Sequence, residues 1–139
     1  MSLKWSHEEI MALNVFSQVT RTDARDCLLE PQRVVFLVRP EEMGKAIGKN
    51  GSTVKRLAET FHRKAEVVEY AGEPEGFFKR AFKELEFRHL ALKNNGASKV
   101  LEISLDAENK AKLFRNAGRF KYIKKLTERN YNVEDVKVR

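Results

Sequence analysis

The sequence predicts an α+β fold built from one six-element unit used twice, and three observations carry that prediction. Stretches with apolar residues at helical spacing alternate with stretches of strand formers in the order helix, strand, strand, helix, helix, strand. The order recurs after Ala71-Gly72-Glu73-Pro74-Glu75-Gly76, a break rich in helix stoppers. In the first copy, a glycine pair, Gly48 and Gly51, joins two short amphipathic stretches. A repeat of roughly 65 to 70 residues accounts for the chain, whose 139 residues suffice for one ordinary domain or two small ones.

Ser6-His7-Glu8-Glu9 reads as a capping box, and Ile10, Leu13, Val15 or Phe16, and Val19 follow at helical spacing, so a helix is expected from Ser6 to Val19. Cys27–Leu29 and Arg33–Arg39 are rich in strand formers and flank Glu30-Pro31-Gln32, the pattern of a hairpin. Pro40 stops the strand and opens a short helix over Glu41–Ile47. Beyond the glycine step, Ser52 or Thr53 caps a helix carrying Val54, Leu57, Ala58 and Phe61, and Ala65–Tyr70 alternates as a closing strand.

In the second copy, Phe78, Ala81 or Phe82, and Leu85 mark a helix from Glu75 to Leu85. His89–Leu92 and Val100–Leu105 flank Asn94-Asn95-Gly96 as a hairpin. Asp106 caps a short helix through Leu113, Gly118 falls in the next connection, Phe120–Arg129 is a helix, and Val133–Val138 is the last strand. The expected division is a first domain over 1–71, a linker over 72–76 and a second domain over 77–139.

Composition removes several function classes. A content of 42% hydrophobic and 34% charged residues describes a soluble globular protein and excludes disordered and fibrous chains. Apolar runs such as Val34–Val38 are far short of a membrane span, and Met1-Ser2-Leu3-Lys4-Trp5 lacks a signal-peptide core, so a cytoplasmic protein with no membrane partner is expected. Cys27 is the only cysteine and reads as a small buried strand residue. No pair among His7, His62 and His89 has metal-ligand spacing, and Glu8-Glu9 and Glu41-Glu42 lie in first turns, where acids favour the helix dipole. Gly44–Ser52 superficially suggests a phosphate-binding P-loop, but Gly44 to Gly48 is one residue too short and Asn50 follows Lys49. No catalytic residue, metal, cofactor or small-molecule substrate is expected, hence no enzyme. Trp5 and Tyr131 are read as packing on helix surfaces rather than stacking on bases.

The formal charge of +7 and a pI near 9.6 fit an anionic partner. Its location says more: residues 1–70 hold 11 Lys/Arg against 10 Asp/Glu, a net of +1, while residues 71–139 hold 16 against 10, a net of +6. Chemistry for an anion is concentrated at Gly48-Lys49-Asn50-Gly51. Two glycines let the main chain turn sharply without Cβ clashes, and they uncover amides at a helix start, where unpaired donors and the dipole favour an anion. Lys49 sits at the tip.

This element order around Met43-Gly44-Lys45-Ala46-Ile47-Gly48-Lys49-Asn50-Gly51-Ser52-Thr53-Val54 resembles the K-homology (KH) domain in its type II arrangement. Tandem copies on a short linker, from about Ser6 to Val138, resemble the archaeal NusA-like transcription factors. The resemblance implies two tandem type II KH domains, each a three-stranded mixed sheet with three helices packed on one face, and single-stranded RNA bound in a groove. A KH loop clamps the backbone of about four nucleotides. On that pattern the amides of Gly48, Lys49, Asn50 and Gly51 face phosphate, with charge from Lys49 and Lys45. Ile47 and Val54 either line a wall for unstacked bases or serve as core residues, and the Arg33–Arg39 strand forms the other wall.

The second copy departs from this pattern. Aligned through the last helices and strands, Phe114-Arg115-Asn116-Ala117 stands where the first copy has Gly48–Gly51; aligned on the nearest glycine, Arg115-Asn116-Ala117-Gly118 does. Neither register keeps both glycines, and a Cβ blocks close approach of a phosphate to the chain. Yet this copy carries Lys110, Lys112, Arg115, Arg119, Lys121, Lys124, Lys125 and Arg129. Arg115, Arg119, Lys121, Lys124 and Lys125 are candidate side-chain contacts to RNA; the same face also fits an acidic protein surface, RNA polymerase being the partner the resemblance allows, or a solvated helix. The expected function is a nonenzymatic single-stranded-RNA-binding factor in transcription elongation and termination, acting on nascent RNA. The alternatives are a KH adaptor in ribosome assembly or RNA processing, and a scaffold on RNA polymerase.

Overall fold

The capping box at Ser6 forms: the Ser6 hydroxyl accepts from the Glu9 amide at 3.2 Å, and the Glu9 carboxylate accepts from the Ser6 amide at 3.0 Å. It starts α1 (His7–Thr20) in the computed structural model, which describes residues 5–139. The chain divides into two units, 1–70 and 71–139. Among the described residues no helix is long and apolar enough to cross a membrane.

In the first unit, α1 ends one residue past the expected Val19, with Arg21 in the left-handed region at φ +61° as its C-cap. Strands β1 (Asp26–Leu29) and β2 (Arg33–Val38) pair antiparallel, with Cys27 opposite Phe36, and β3 (Lys64–Glu69) runs parallel to β2, with Phe36 opposite Val67. Between β2 and β3 the chain makes a 3-10 turn at Pro40–Glu42, then α2 (Met43–Ile47), a second 3-10 turn at Lys49–Gly51, and α3 (Ser52–Phe61). Sheet order is β1-β2-β3. Phe16 of α1, Ala46 of α2 and Leu57 of α3 meet Cys27, Val34, Phe36 and Val38, which alternate onto one sheet face. The Phe16 and Phe36 rings stack at 4.4 Å, and neither is exposed; burial of each ring contributes roughly 1.5–3 kcal/mol. Cys27 is buried in β1, as its apolar reading required. Trp5 is tied down by its indole, which donates to the buried Asp26 carboxylate at 2.7 Å.

The second unit repeats the order. Its first helix, α4 (Pro74–Ala81), begins inside the 72–76 stretch expected as linker, because Pro74 occupies the first helical turn, where its missing N–H costs nothing. It also ends before the expected Leu85: Phe82 leaves helical geometry at φ −128°, ψ 61°, although Phe82 and Leu85 are both buried. Strands β4 (His89–Asn95) and β5 (Ser98–Ser104) form a hairpin whose turn carries Gly96 at φ +70°. Strand β6 (Asp135–Val138) pairs parallel to β5, giving the order β4-β5-β6. Asp106 caps α5 (Ala107–Arg115), accepting from the amide and side chain of Asn109 at 2.8 and 2.9 Å. The buried Asn109 in turn accepts from the Glu86 amide at 3.1 Å. Helix α6 (Ala117–Asn130) starts three residues before the expected Phe120, so Gly118 is helical and the connection from α5 shrinks to Asn116. The Tyr131 hydroxyl donates to the Ala71 carbonyl at 2.6 Å and accepts from the Ala71 amide at 3.2 Å, while its ring lies 5.4 Å from that of Phe77.

Candidate nucleic-acid interface

The loop between α2 and α3 is built on left-handed backbone. Gly48, Asn50 and Gly51 have φ of +77°, +55° and +75°; asparagine is among the few side chains that tolerate this region, and glycine adopts it freely. A Cβ on Gly48 would run into the Thr53 hydroxyl and lie 2.7 Å from the Thr53 amide nitrogen. Glycine at 48 is therefore dictated by the chain's own return, before any ligand is considered.

The amide inventory is narrower than four donors. The Gly48 amide donates to the Gly44 carbonyl at 2.9 Å, and the Gly51 amide donates to the Gly48 carbonyl at 3.1 Å. The amides of Lys49 and Asn50 precede that bond and have no backbone acceptor among the described residues. Both side chains are exposed, and Lys49 has no ion pair among the described residues. The Lys45 ammonium, also exposed, lies 3.9 Å from Glu42, which accepts from the Thr22 hydroxyl at 2.6 Å as well. An exposed pair of that length is weak and can be exchanged for another anion.

Ile47 is 37% exposed and outside the core cluster, which does not fit its reading as a plain core residue. Val54 is half-buried and also outside that cluster. Of the strand expected as the second wall, β2 is central in its sheet with Val34–Val38 buried, and Arg39 just beyond its end is exposed. Arg33, at its start, faces Glu30 at 3.5 Å and Glu66 at 4.0 Å. The P-loop reading also fails on topology, since a helix, not a strand, leads into the loop.

In the second unit the five candidate cations separate. Arg119 is built into the fold: its Nε donates to the Ala81 carbonyl at 2.9 Å, its Nη1 donates to the Tyr122 hydroxyl at 2.9 Å, and the guanidinium lies 5.9 Å from the Phe82 and Tyr122 rings. Lys124 joins α6 to β6 through Asp135 at 3.1 Å. Arg115, Lys121 and Lys125 are exposed and without an ion pair among the described residues. Neither register proposed for the loop survives as a loop, because Phe114 and Arg115 end α5 and Ala117 and Gly118 begin α6. Phe114, which the sequence presented only as a bulky replacement, is exposed. Its basic neighbours were the available signal.

Residues 12–73 match the family model described as KH domain. A Methanocaldococcus jannaschii protein described as probable transcription termination protein NusA is 28% identical over 132 residues, covering 94% of this chain and 72% of that protein. A Halococcus morrhuae protein of the same description is 29% identical over 139 residues, covering 99% of each. Among solved structures, the crystal structure of APE1850 superposes with a TM-score of 0.81 at 27% identity, covering 97% of this chain and 100% of that one. Residues 12–73 are thus similar to the KH domain, in a chain similar over nearly its whole length to archaeal proteins described as probable transcription termination protein NusA.

Proposed function

We propose that the protein is a nonenzymatic factor that binds single-stranded RNA and acts in transcription termination and elongation, with the loop at 48–51 as its phosphate clamp. The observation that carries this reading is the pair of unengaged amides at Lys49 and Asn50, beside the unpaired Lys49 ammonium and at the positive end of α3. Nonbridging phosphate oxygens accept from the two amides, the ammonium neutralises their charge, and an unstacked base packs on Ile47. The descriptions of the archaeal relatives support the link to transcription. Repetition of element order and strand pairing supports a second type II KH unit, in which Arg115, Lys121 and Lys125 add contacts to phosphate without reading sequence. RNA polymerase, the source of the transcript, is the protein partner that fits this role.

The test is the double substitution K49D/N50D, which places two negative charges at the clamp on side chains that do no work in the core. Fluorescence anisotropy with a labelled single-stranded RNA is expected to show affinity falling about tenfold or more, as charge-assisted bonds are lost. The thermal midpoint should stay within a few degrees of the parent. Undiminished affinity in a folded variant overturns the clamp.

A further inference from the structure

The second unit presents an exposed aromatic ring within its most basic stretch of sequence. Phe114, at the end of α5, is 52% exposed. Its ring is held by a tilted edge contact to Phe120, 5.8 Å away at 69°, and Phe120 meets the fully buried Phe78 at 6.3 Å and 77°. Contacts of this kind fix the orientation of a ring without covering all of it. The one-residue connection at Asn116 brings this about, since it folds the end of α5 back against the start of α6.

A single exposed apolar side chain is ordinary; the surroundings of Phe114 are not. From Lys110 to Lys125 the chain has seven Lys/Arg and no Asp or Glu. Arg115 and Lys121 are exposed, and the small residues Ala117 and Gly118 beside them are exposed too, leaving the approach open. Glu108, the preceding acid, pairs with Lys112 at 3.8 Å. A partner suited to this surface must be anionic and must also offer flat apolar faces, and unstacked RNA has both in every nucleotide.

We propose that Phe114 is a stacking platform for a base of single-stranded RNA, with Arg115 and Lys121 holding the flanking phosphates. This rests on the RNA-binding reading above and adds a second site of different chemistry. The first-unit loop has no aromatic residue and takes the backbone through amides, whereas the second unit takes a base through a ring face. Because every base has such a face, the contact tolerates any sequence.

Full-length F114A, F114L and F114W, each checked for an unchanged thermal midpoint, are titrated with the same labelled RNA. Stacking predicts that F114A and F114L both lose roughly 5- to 100-fold in affinity. F114W is expected to bind at least as well as the parent, with its indole emission quenched on binding beyond any change from Trp5. Retained affinity in F114L alongside loss in F114A indicates generic apolar contact and overturns the proposal. So does unchanged affinity in both, including the case where only co-purification with polymerase is lost. If K49D/N50D loses affinity while F114A does not, the first-unit clamp stands and Phe114 alone is rejected; if the parent chain does not bind the RNA, both readings fall.

Discussion

Gly44, Gly48 and Gly51 are near neighbours with three different physical roles. Gly48 combines positive φ with the close return of Thr53, so Gly48→Ala is expected to cost about 2 kcal/mol or more. Gly51 has the same sign of φ but only an ordinary 3.7 Å contact to Val54, and its replacement by alanine should cost about 1 kcal/mol. Gly44 lies in α2 with nothing near its missing Cβ, so Gly44→Ala should stabilise by about 0.5–1 kcal/mol. Urea unfolding of the three variants checks the order; equal losses at 48 and 51 would mean that Thr53 yields at no cost. The glycine pair was legible in the sequence, but which amides stay open was not. That depends on the 3.1 Å bond from the Gly51 amide to the Gly48 carbonyl, a fact of backbone geometry rather than residue type.

At the scale of elements, local chemistry was legible and boundaries set by packing were not. Ser6 with Glu9 and Asp106 with its downstream amide announce their helices by short-range bonds that any observer of the sequence can anticipate. Gly118 reads as a breaker, yet Tyr122, Ile123 and Leu126 bury α6 and extend it over the glycine, a tertiary gain larger than glycine's intrinsic cost of about 1 kcal/mol. Leu85 misled for the converse reason: it is buried from a loop, so the helical spacing of apolar residues outlasts the helix. The elements of the second unit also hold carboxylates with displaced titration. Glu102 on β5 is lowered by its bond to Lys93 at 3.2 Å and by Arg139 at 2.9 Å, and Asp106 by bonds from Asn109. For Asp135 burial pulls upward, but Lys124 and the Val136 amide outweigh it and the net shift is down. Such groups bind protons less readily when folded, so their stabilisation is present above the ordinary carboxylate range near pH 4 and is lost as pH falls through the folded values. Glu128 is raised by burial, with the Asp135 charge adding; its contribution is present in acid and lost as pH rises through its raised pKa. Three against one, the thermal midpoint should fall between about pH 5 and pH 3, and E102Q with D106N, which keeps a capping side chain, should lessen that fall.

Across the whole molecule, the charge imbalance visible in the sequence, +1 against +6, becomes a division between a nearly neutral unit that carries the glycine loop and a strongly basic one. The sequence could not tell which cations are available, since Arg119 and Lys124 are committed through Ala81 and Asp135, residues distant along the chain. The remaining ones define a measurable quantity. Each phosphate neutralised contributes about −0.7 to the slope of log affinity against log salt for a single strand, so R115Q/K121Q/K125Q should flatten the slope by about two units. An unchanged slope would place this face away from RNA. The bond between Tyr131 and Ala71, 60 residues apart, has a further consequence for how the protein is made. Units of a chain fold in the order in which the ribosome delivers them. The first sheet is complete once Glu69 has emerged, while the second unit is still being translated. The opening of the second unit stays unlatched until Tyr131 arrives and β6 follows it, so the two sheets are completed in sequence, the first well before the second.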